Sequence, residues 1–246
     1  MNTHHSLNGL RVAVTGGTSG LGLALVRALH RRGASVAFIA RDAARVAKVA
    51  HELAGTHGIA GDVSRKDETH SIALQIGAAL GGLDVLVNNA SSLGPVPLAL
   101  LADTECEDFE QALATNLTGP FRLTKALLGL LTASAREPAP LARPALVINI
   151  GSDAAVTPYS GWGAYASSKA ALLHMSRIWD EELRDDGVRV ECIDPGDMDT
   201  PLHALALPDA DVTKLARPAD AALDILDRIA QLWSRSRRQD EAEHAA

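Results

Sequence analysis

Residues 10–40 read LRVAVTGGTSGLGLALVRALHRRGASVAFIA, and this stretch decides the fold. It opens on a β-branched apolar run, LRVAVTG (10–16), passes through a glycine-rich turn, continues as an amphipathic helix from Leu21 to Arg32, and returns to a second apolar run, ASVAFIA (34–40). Neither run alternates apolar and polar residues. Each therefore reads as a strand buried on both faces, as parallel strands covered by helices are. In the turn TGGTSGLG (15–22), Gly16 and Gly20 permit positive φ, and Gly22 removes a side chain where helix meets strand. The helix that begins there directs free N–H groups and the positive end of its dipole at the turn, a geometry suited to a pyrophosphate.

The alternation continues outward from this unit. A helix is predicted from Asp42 to Leu53, then GIAGDV (58–63) as strand, a helix over 65–80, LDVLVNNA (83–90) as strand, and a long helix over 105–132. ALVINIGS (145–152), a helix over 163–185 and VRVECID (188–194) follow, and a last helix over 218–232 carries Leu223, Leu226, Ile229 and Ala230 at helical spacing. The expected fold class is α/β, a single-domain doubly wound parallel sheet of Rossmann type with six strands, and ligands are expected beyond the carboxyl ends of the strands. The domain is expected to span 1–232. The polar segment WSRSRRQDEAEHAA (233–246) has no β-branched run and is expected to be a disordered tail. The proline-bearing connection at 133–145 reads as an exposed loop.

Composition narrows the function classes. The 246 residues are 47% hydrophobic and 22% charged, which supports a sizeable core and excludes disordered or collagen-like chains. A formal charge of −7 argues against a nucleic-acid partner, because such binding draws on clustered Lys and Arg. No run approaches the ~20 apolar residues that cross a bilayer, and MNTHHSLNGLR lacks the pattern of a secretory leader, so a cytoplasmic protein without a membrane partner is expected. Cys106 and Cys192 cannot form a disulfide framework and are expected to be buried, reduced thiols. No metal is expected, since no HExxH or CxxC spacing and no His/Asp/Glu cluster at ligand spacing appears. His203 could line a substrate pocket, but it reads first as a surface histidine in a mobile loop.

Tyr165 and Lys169 lie four apart on a predicted helix and share one face, and Ser152 stands at the carboxyl end of a buried strand. A tyrosine, which normally titrates near ~10, becomes useful in proton transfer only beside positive charge, which Lys169 can supply. Further residues fall in a fixed order: Asp62 and Val63 after the third strand, NNA (88–90) after the fourth, Asn116 in the long helix, Ser152, YASSK (165–169), Pro195 and Gly196, then Thr200.

With the turn T-G-x-x-x-G-x-G, this ordered set resembles the short-chain dehydrogenase/reductase family, from about residue 8 to about residue 230. Two departures are Ser91, where the family usually has glycine, and a long spacing from Asn116 to Ser152 that the proline-bearing loop absorbs. The resemblance implies Tyr165 as the proton-transfer residue, Ser152 as hydrogen-bond partner of the substrate oxygen, and Lys169 as holder of the nicotinamide ribose. Asn116 would help hold a water linking Lys169 to solvent. Cofactor contacts are implied at Gly16, Thr18, Ser19, Gly20, Leu21 and Gly22 of the turn, at Asp62, Val63, Asn89 and Ala90, at Tyr165 and Lys169, and at Pro195, Gly196 and Thr200, the last toward the nicotinamide carboxamide.

Cofactor choice turns on the end of the second strand, where an acid would hold the 2′-hydroxyl of NAD. Ala40 occupies that place, Arg41 follows and can pair with a 2′-phosphate, and Asp42 sits where a helix N-cap belongs, so NADP(H) is expected over NAD(H). The function expected is hydride transfer between the nicotinamide and a carbonyl or secondary alcohol of a small neutral or apolar substrate. The alternative is a non-catalytic NADP-binding regulatory protein of the same fold; a methyltransferase is disfavoured because it has no use for YxxxK. Residues 197–218, with Lys214 and Arg217 as their cations, are expected to form a mobile lid over the substrate. With the family's seventh strand missing, a homodimer through the helices at 105–132 and 163–185 is expected, with a tetramer possible.

Overall fold

The computed structural model describes residues 7–137 and 143–234. Six strands, β1 (Arg11–Thr15), β2 (Ser35–Ala40), β3 (His57–Ala60), β4 (Val85–Asn88), β5 (Ala145–Ile150) and β6 (Val188–Ile193), form one parallel sheet in the order β3-β2-β1-β4-β5-β6. The helices are α1 (Gly20–Arg31), α2 (Ala43–Glu52), α3 (Thr69–Leu80), α4 (Cys106–Leu113), α5 (Gly119–Ala135), α6 (Gly163–Leu183), α7 (Pro201–Ala206) and α8 (Pro218–Ser234).

The strands carry apolar residues on both faces because both faces are covered. Val12, Val14, Val36, Phe38, Val85, Val87, Leu146 and Ile148 join Leu25 and Leu29 of α1 and Ile225, Leu226 and Ile229 of α8 in one core. On the other face Ala13, Ala37, Ile39, Leu86 and Val147 pack with Ile72 and Ile76 of α3 and with Leu123, Leu127 and Leu131 of α5. Chain direction across the sheet reverses between β1 and β4, which leaves a crevice beyond their carboxyl ends.

Three expectations need correction. The long helix over 105–132 is not continuous: a π-helical turn at Ala114–Thr118 separates α4 from α5. Two features account for it. Pro120 has no N–H to give the carbonyl of Asn116, and a Cβ at Gly119 would stand 2.8 Å from the Val63 carbonyl oxygen, so backbones meet there. Cys106 is exposed at the head of α4, and Cys192 is half-buried at the carboxyl end of β6, on the face that carries Val188 and Val190. Finally, α8 runs to Ser234, two residues past the expected domain boundary; the rest of the expected tail lies outside the described residues. Among the described residues no helix is long and apolar enough to cross a membrane.

The glycine turn is set by close approach. Gly16 has φ 71°, and a Cβ on Gly22 would lie 2.2 Å from the Gly16 carbonyl oxygen and 2.5 Å from Asn89 Nδ2. The first is backbone, and the second, a side-chain end, is held by its bond to the Thr15 carbonyl. Gly22→Ala should therefore cost about 1–3 kcal/mol of unfolding free energy, read as a lower urea midpoint. An unchanged midpoint would show that the turn can open without strain.

Candidate active site

One cavity of about 840 Å³ lies beyond the carboxyl ends of the strands. The loops after all six strands build its walls, so its lining follows from the sheet order. Gly16, Thr18, Ser19, Gly20, Leu21, Gly22, Arg41, Asp62, Val63, Asn89, Ala90, Ser152, Tyr165, Lys169, Pro195, Gly196 and Thr200 all line it. Of the candidate site residues, Asn116 alone is not on that wall.

The floor is stitched at the reversal point. Thr15 Oγ1 accepts the N–H groups of Asn89 (2.9 Å) and Ala90 (3.0 Å), and Asn89 Nδ2 returns a bond to the Thr15 carbonyl at 2.8 Å. Beside it, Ser19 sits at the N-cap of α1 in extended conformation but its hydroxyl makes no cap bond, and the first turn of α1 carries no acidic side chain. The amides of that turn are thus left to a ligand, and the absent Cβ atoms of Gly16 and Gly22 leave a shallow cradle. These features fit a dinucleotide pyrophosphate.

At the end of β2, Asp42 caps α2 by accepting from Ala44 N and Arg45 N, both at 3.0 Å. Its carboxylate is spent on the helix, as its position in the sequence suggests. Arg41 is exposed on the cavity rim, and Arg45 joins it there from the first turn of α2. Sequence reasoning missed Arg45; its signal is the four-residue spacing from Arg41 across a helix start.

Asn116 lies in the π-helical turn and is 1% exposed. Its Nδ2 donates to the Ser92 carbonyl and to Ser168 Oγ, each at 2.8 Å, and its Oδ1 accepts from Ser92 N at 2.8 Å and Ser91 Oγ at 3.2 Å. The side chain is fully used in joining the loop after β4 to α6. Any water it helps hold must take the backbone carbonyl, which Pro120 leaves without its helical donor. Ser91, the departure from the family pattern, has no positive φ and adds a hydroxyl to this network.

Tyr165 and Lys169 rise together from α6. The Lys169 ammonium is 2% exposed, donates to the Ile150 carbonyl at 2.7 Å, and lies 5.4 Å from the centre of the Tyr165 ring. Burial pushes the Lys169 pKa down to about 8, against a pull upward from Cys192 and Asp194. Burial pushes the Tyr165 phenol up to about 12, with Asp194 and Asp153 adding to the rise while the Ser152 and Ser91 hydroxyls oppose it. Without a ligand the phenol keeps its proton.

Ser152 ends β5 and accepts from Ala154 N at 3.2 Å; its own proton goes to Asp153 Oδ1 at 3.1 Å. Asp153 also accepts from the Tyr159 hydroxyl at 2.6 Å, and Trp162 packs edge-on against Tyr165 at 5.7 Å. None of Asp153, Tyr159 or Trp162 was foreseen as a site residue. Thr200 caps α7 through His203 N at 3.2 Å and lies against Gly20, where a Cβ would meet its side chain at 3.3 Å. His203 lines the cavity, correcting its reading as a surface residue, because α7 turns inward over the site. The neck of the 197–218 segment is closed by Asp199 N to Ala216 O (3.0 Å) and Ala216 N to Asp197 O (3.1 Å).

A dinucleotide bound here would bring hydride chemistry to a wall that presents a buried phenol, an ammonium and a hydroxyl. The profile of the short chain dehydrogenase family matches residues 11–210. Mouse L-fucose dehydrogenase is 35% identical over 195 residues, which cover 79% of this chain and 67% of that protein. The serine 3-dehydrogenase of Agrobacterium fabrum is 34% identical over 77% of this chain and 72% of its own. A short chain dehydrogenase from Shigella flexneri 2a, solved in complex with NADP, superposes with a TM-score of 0.79 at 26% identity, covering 87% of this chain and 88% of that one.

The depressed Lys169 pKa makes a stability prediction. A lysine whose folded pKa lies below its unfolded value costs stability fully below about pH 8, and the cost fades as pH rises toward 10.5. Lys169→Met should stabilise the cofactor-free protein at pH 7 by on the order of 2 kcal/mol, once the lost bond to Ile150 is set against the relieved charge burial. The gain should shrink by pH 9.5 in urea titrations. An equal gain at both pH values would mean that ammonium burial is not its source.

Proposed function

The chain belongs to the short-chain dehydrogenase family and is an NAD(P)-dependent oxidoreductase, and from that premise we propose that it uses NADP(H) to interconvert a carbonyl and a secondary alcohol on a small neutral or apolar substrate. The observation that carries this reading is the convergence of Ser152, Tyr165 and Lys169 on one cavity wall while Arg41 and Arg45 stand on its rim after β2. In the sheet β2 and β5 are separated by β1 and β4, so the two ends lie roughly 14 Å apart at the usual strand spacing, a span a dinucleotide can bridge.

When bound, the nicotinamide supplies or accepts the hydride. This chain's residues do the rest. Tyr165, protonated in the free site, donates its phenolic proton to the carbonyl oxygen during reduction and takes it back in oxidation. Lys169, charged at neutral pH and held against Ile150, steadies the phenolate formed and reaches toward the ribose. Ser152 hydrogen-bonds the reacting oxygen as charge develops on it. The Asn116 carbonyl holds a water that returns the proton from solvent. A buried ammonium bonded to a backbone carbonyl rather than to a carboxylate is costly to keep. That cost supports a catalytic protein over a regulator that has lost turnover.

The substrate half of the site is bordered by exposed apolar residues, Val96, Leu205 and Leu207 among them. They support an apolar substrate body, covered by the 197–218 segment as a lid. On the outer face of α5 and α6, exposed Phe121 and Ile178 support a homodimer through those helices.

Tyr165→Phe should reduce kcat at least a thousandfold while leaving the Kd for NADPH within about threefold; a variant that kept most of its kcat would refute the assigned role. Arg41→Ala should weaken NADPH tenfold or more and leave NADH nearly unaffected, by the loss of a charge-assisted bond to the 2′-phosphate. Calorimetric titration showing equal losses for both cofactors, or NADH binding at least as tightly as NADPH to the unaltered protein, would overturn the NADP preference.

A further inference from the structure

The Ser152 hydroxyl has one proton, and its neighbour Asp153 determines where that proton goes. An ionised carboxylate only accepts, so the 3.1 Å contact between Ser152 Oγ and Asp153 Oδ1 has the serine as donor. The Tyr159 hydroxyl and Ser152 together hold the Asp153 carboxyl below its usual range, so it is ionised at working pH. While Ser152 donates to Asp153 it cannot donate to a reacting carbonyl oxygen. Turning it to the substrate takes a hydrogen bond away from Oδ1, and a substrate that returns one there removes the conflict.

We infer that Asp153 is the specificity-determining residue of the substrate pocket, selecting substrates with a hydrogen-bond donor, an ammonium or a hydroxyl, on the carbon next to the reacting one. The inference rests on the dehydrogenase reading above and revises the substrate class of that same site, adding a donor that is either neutral or cationic to the apolar body. Its geometric basis is the adjacency of the two oxygens. Ser152 Oγ faces the reacting oxygen, and Asp153 Oδ1 lies from it at about the separation of two heteroatoms on neighbouring carbons. Charge points the same way. Asp153, Asp194 and Asp197 all line this cavity with the rings of Tyr159 and Trp162, a setting that attracts cations and neutral donors and repels carboxylates. A donor-bearing substrate thereby both satisfies Asp153 and releases the Ser152 proton to the carbonyl. An unsubstituted ketone must draw that proton away from the carboxylate with nothing given in return.

The test uses the full chain with NADPH and a matched set of aryl ketones: α-aminoacetophenone, α-hydroxyacetophenone (both substituted on the methyl carbon) and acetophenone. The reading is the ratio of kcat/KM within each protein, which cancels any difference in folded fraction. The unaltered protein should favour each α-substituted ketone at least tenfold over acetophenone. Asp153→Ala should bring both ratios close to one. Asp153→Asn, which keeps an accepting oxygen but no charge, should retain the preference for the hydroxyl and lose that for the ammonium. Tyr159→Phe, which leaves the carboxylate in place, should retain both. Ratios near one in the unaltered protein, or ratios that survive in Asp153→Ala, overturn the inference while leaving the dehydrogenase reading intact. Failure to reduce any of these ketones or a wider carbonyl panel, by protein that binds NADPH, overturns the dehydrogenase reading and the inference with it.

Discussion

The hydroxyl of Thr15 is the point on which the site is assembled. It accepts two successive backbone N–H groups, from Asn89 and Ala90, at the place where the sheet order reverses, and so clamps the loop after β4 to the end of β1. From there a chain of buried hydrogen bonds runs on. Ser91 and Ser92 follow Ala90 and bond Asn116; Asn116 bonds Ser168; Ser168 Oγ donates to the Tyr165 carbonyl at 2.6 Å. The glycine turn, the π-helical turn and the helix bearing Tyr165 and Lys169 are thereby parts of one connected structure. Buried polar links of this kind are costly when half satisfied, so each member constrains the next. The role of Asn116 follows from that position: it sets the catalytic helix against the cofactor crevice without itself facing the cavity.

The electrostatics of the site divide along the same line. Near β2 the cavity rim carries the guanidinium groups of Arg41 and Arg45, and Asp42 between them caps α2 and pairs with Arg45 at 3.3 Å. Near β5 and β6 it carries carboxylates and a single deeply buried ammonium. The buried ammonium is disfavoured by its surroundings and the phenol beside it is held protonated. In the mechanism proposed above, both conditions are relieved when charge shifts during reaction rather than in the resting protein. A site that is strained at rest and eased in turnover is expected where function, and not stability, selects the residues.

Much of this was legible in the sequence. The doubly buried strands declared themselves as apolar runs without alternation, and Tyr165 and Lys169 by a spacing that only a helix turns into one face. Asp42 revealed its cap role by standing just before the first helical residue. What stayed hidden depends on neighbours distant in the chain. The π-helical turn arises from Pro120 together with the approach of Gly119 to Val63, a contact between separate elements. Asp153 and Tyr159 belong to no motif, and only the course of the loop after β5 brings the Tyr159 hydroxyl to Asp153 beside Ser152. His203 looked exposed because the inward course of α7 depends on Thr200 lying against Gly20. Cys106 was expected inside because its segment read as buried, although Glu105 and Glu107 beside it mark a solvent-facing helix start.

The end of the sheet bears on how copies of this chain can meet. Among the described residues β6 is an edge strand, and an unprotected edge invites pairing with another sheet. Here it alternates apolar and charged residues: Arg189 pairs with Asp180 of α6 at 2.9 Å, and Glu191 with Arg228 of α8 at 2.9 Å. These pairs are half-buried and tie the edge to helices of its own chain, leaving charges where a seventh strand would need an apolar partner face. Sheet extension across a twofold axis is thus disfavoured by the same residues that seal the fold. The apolar surface that remains for association lies instead on α5 and α6, where Phe121 packs edge-on against Trp179 with part of its ring still exposed. Those helices also carry or contact Asn116, Tyr165 and Lys169 on their inner faces. Pairing through them would therefore stiffen the scaffold directly behind the catalytic residues, coupling assembly to the order of the site.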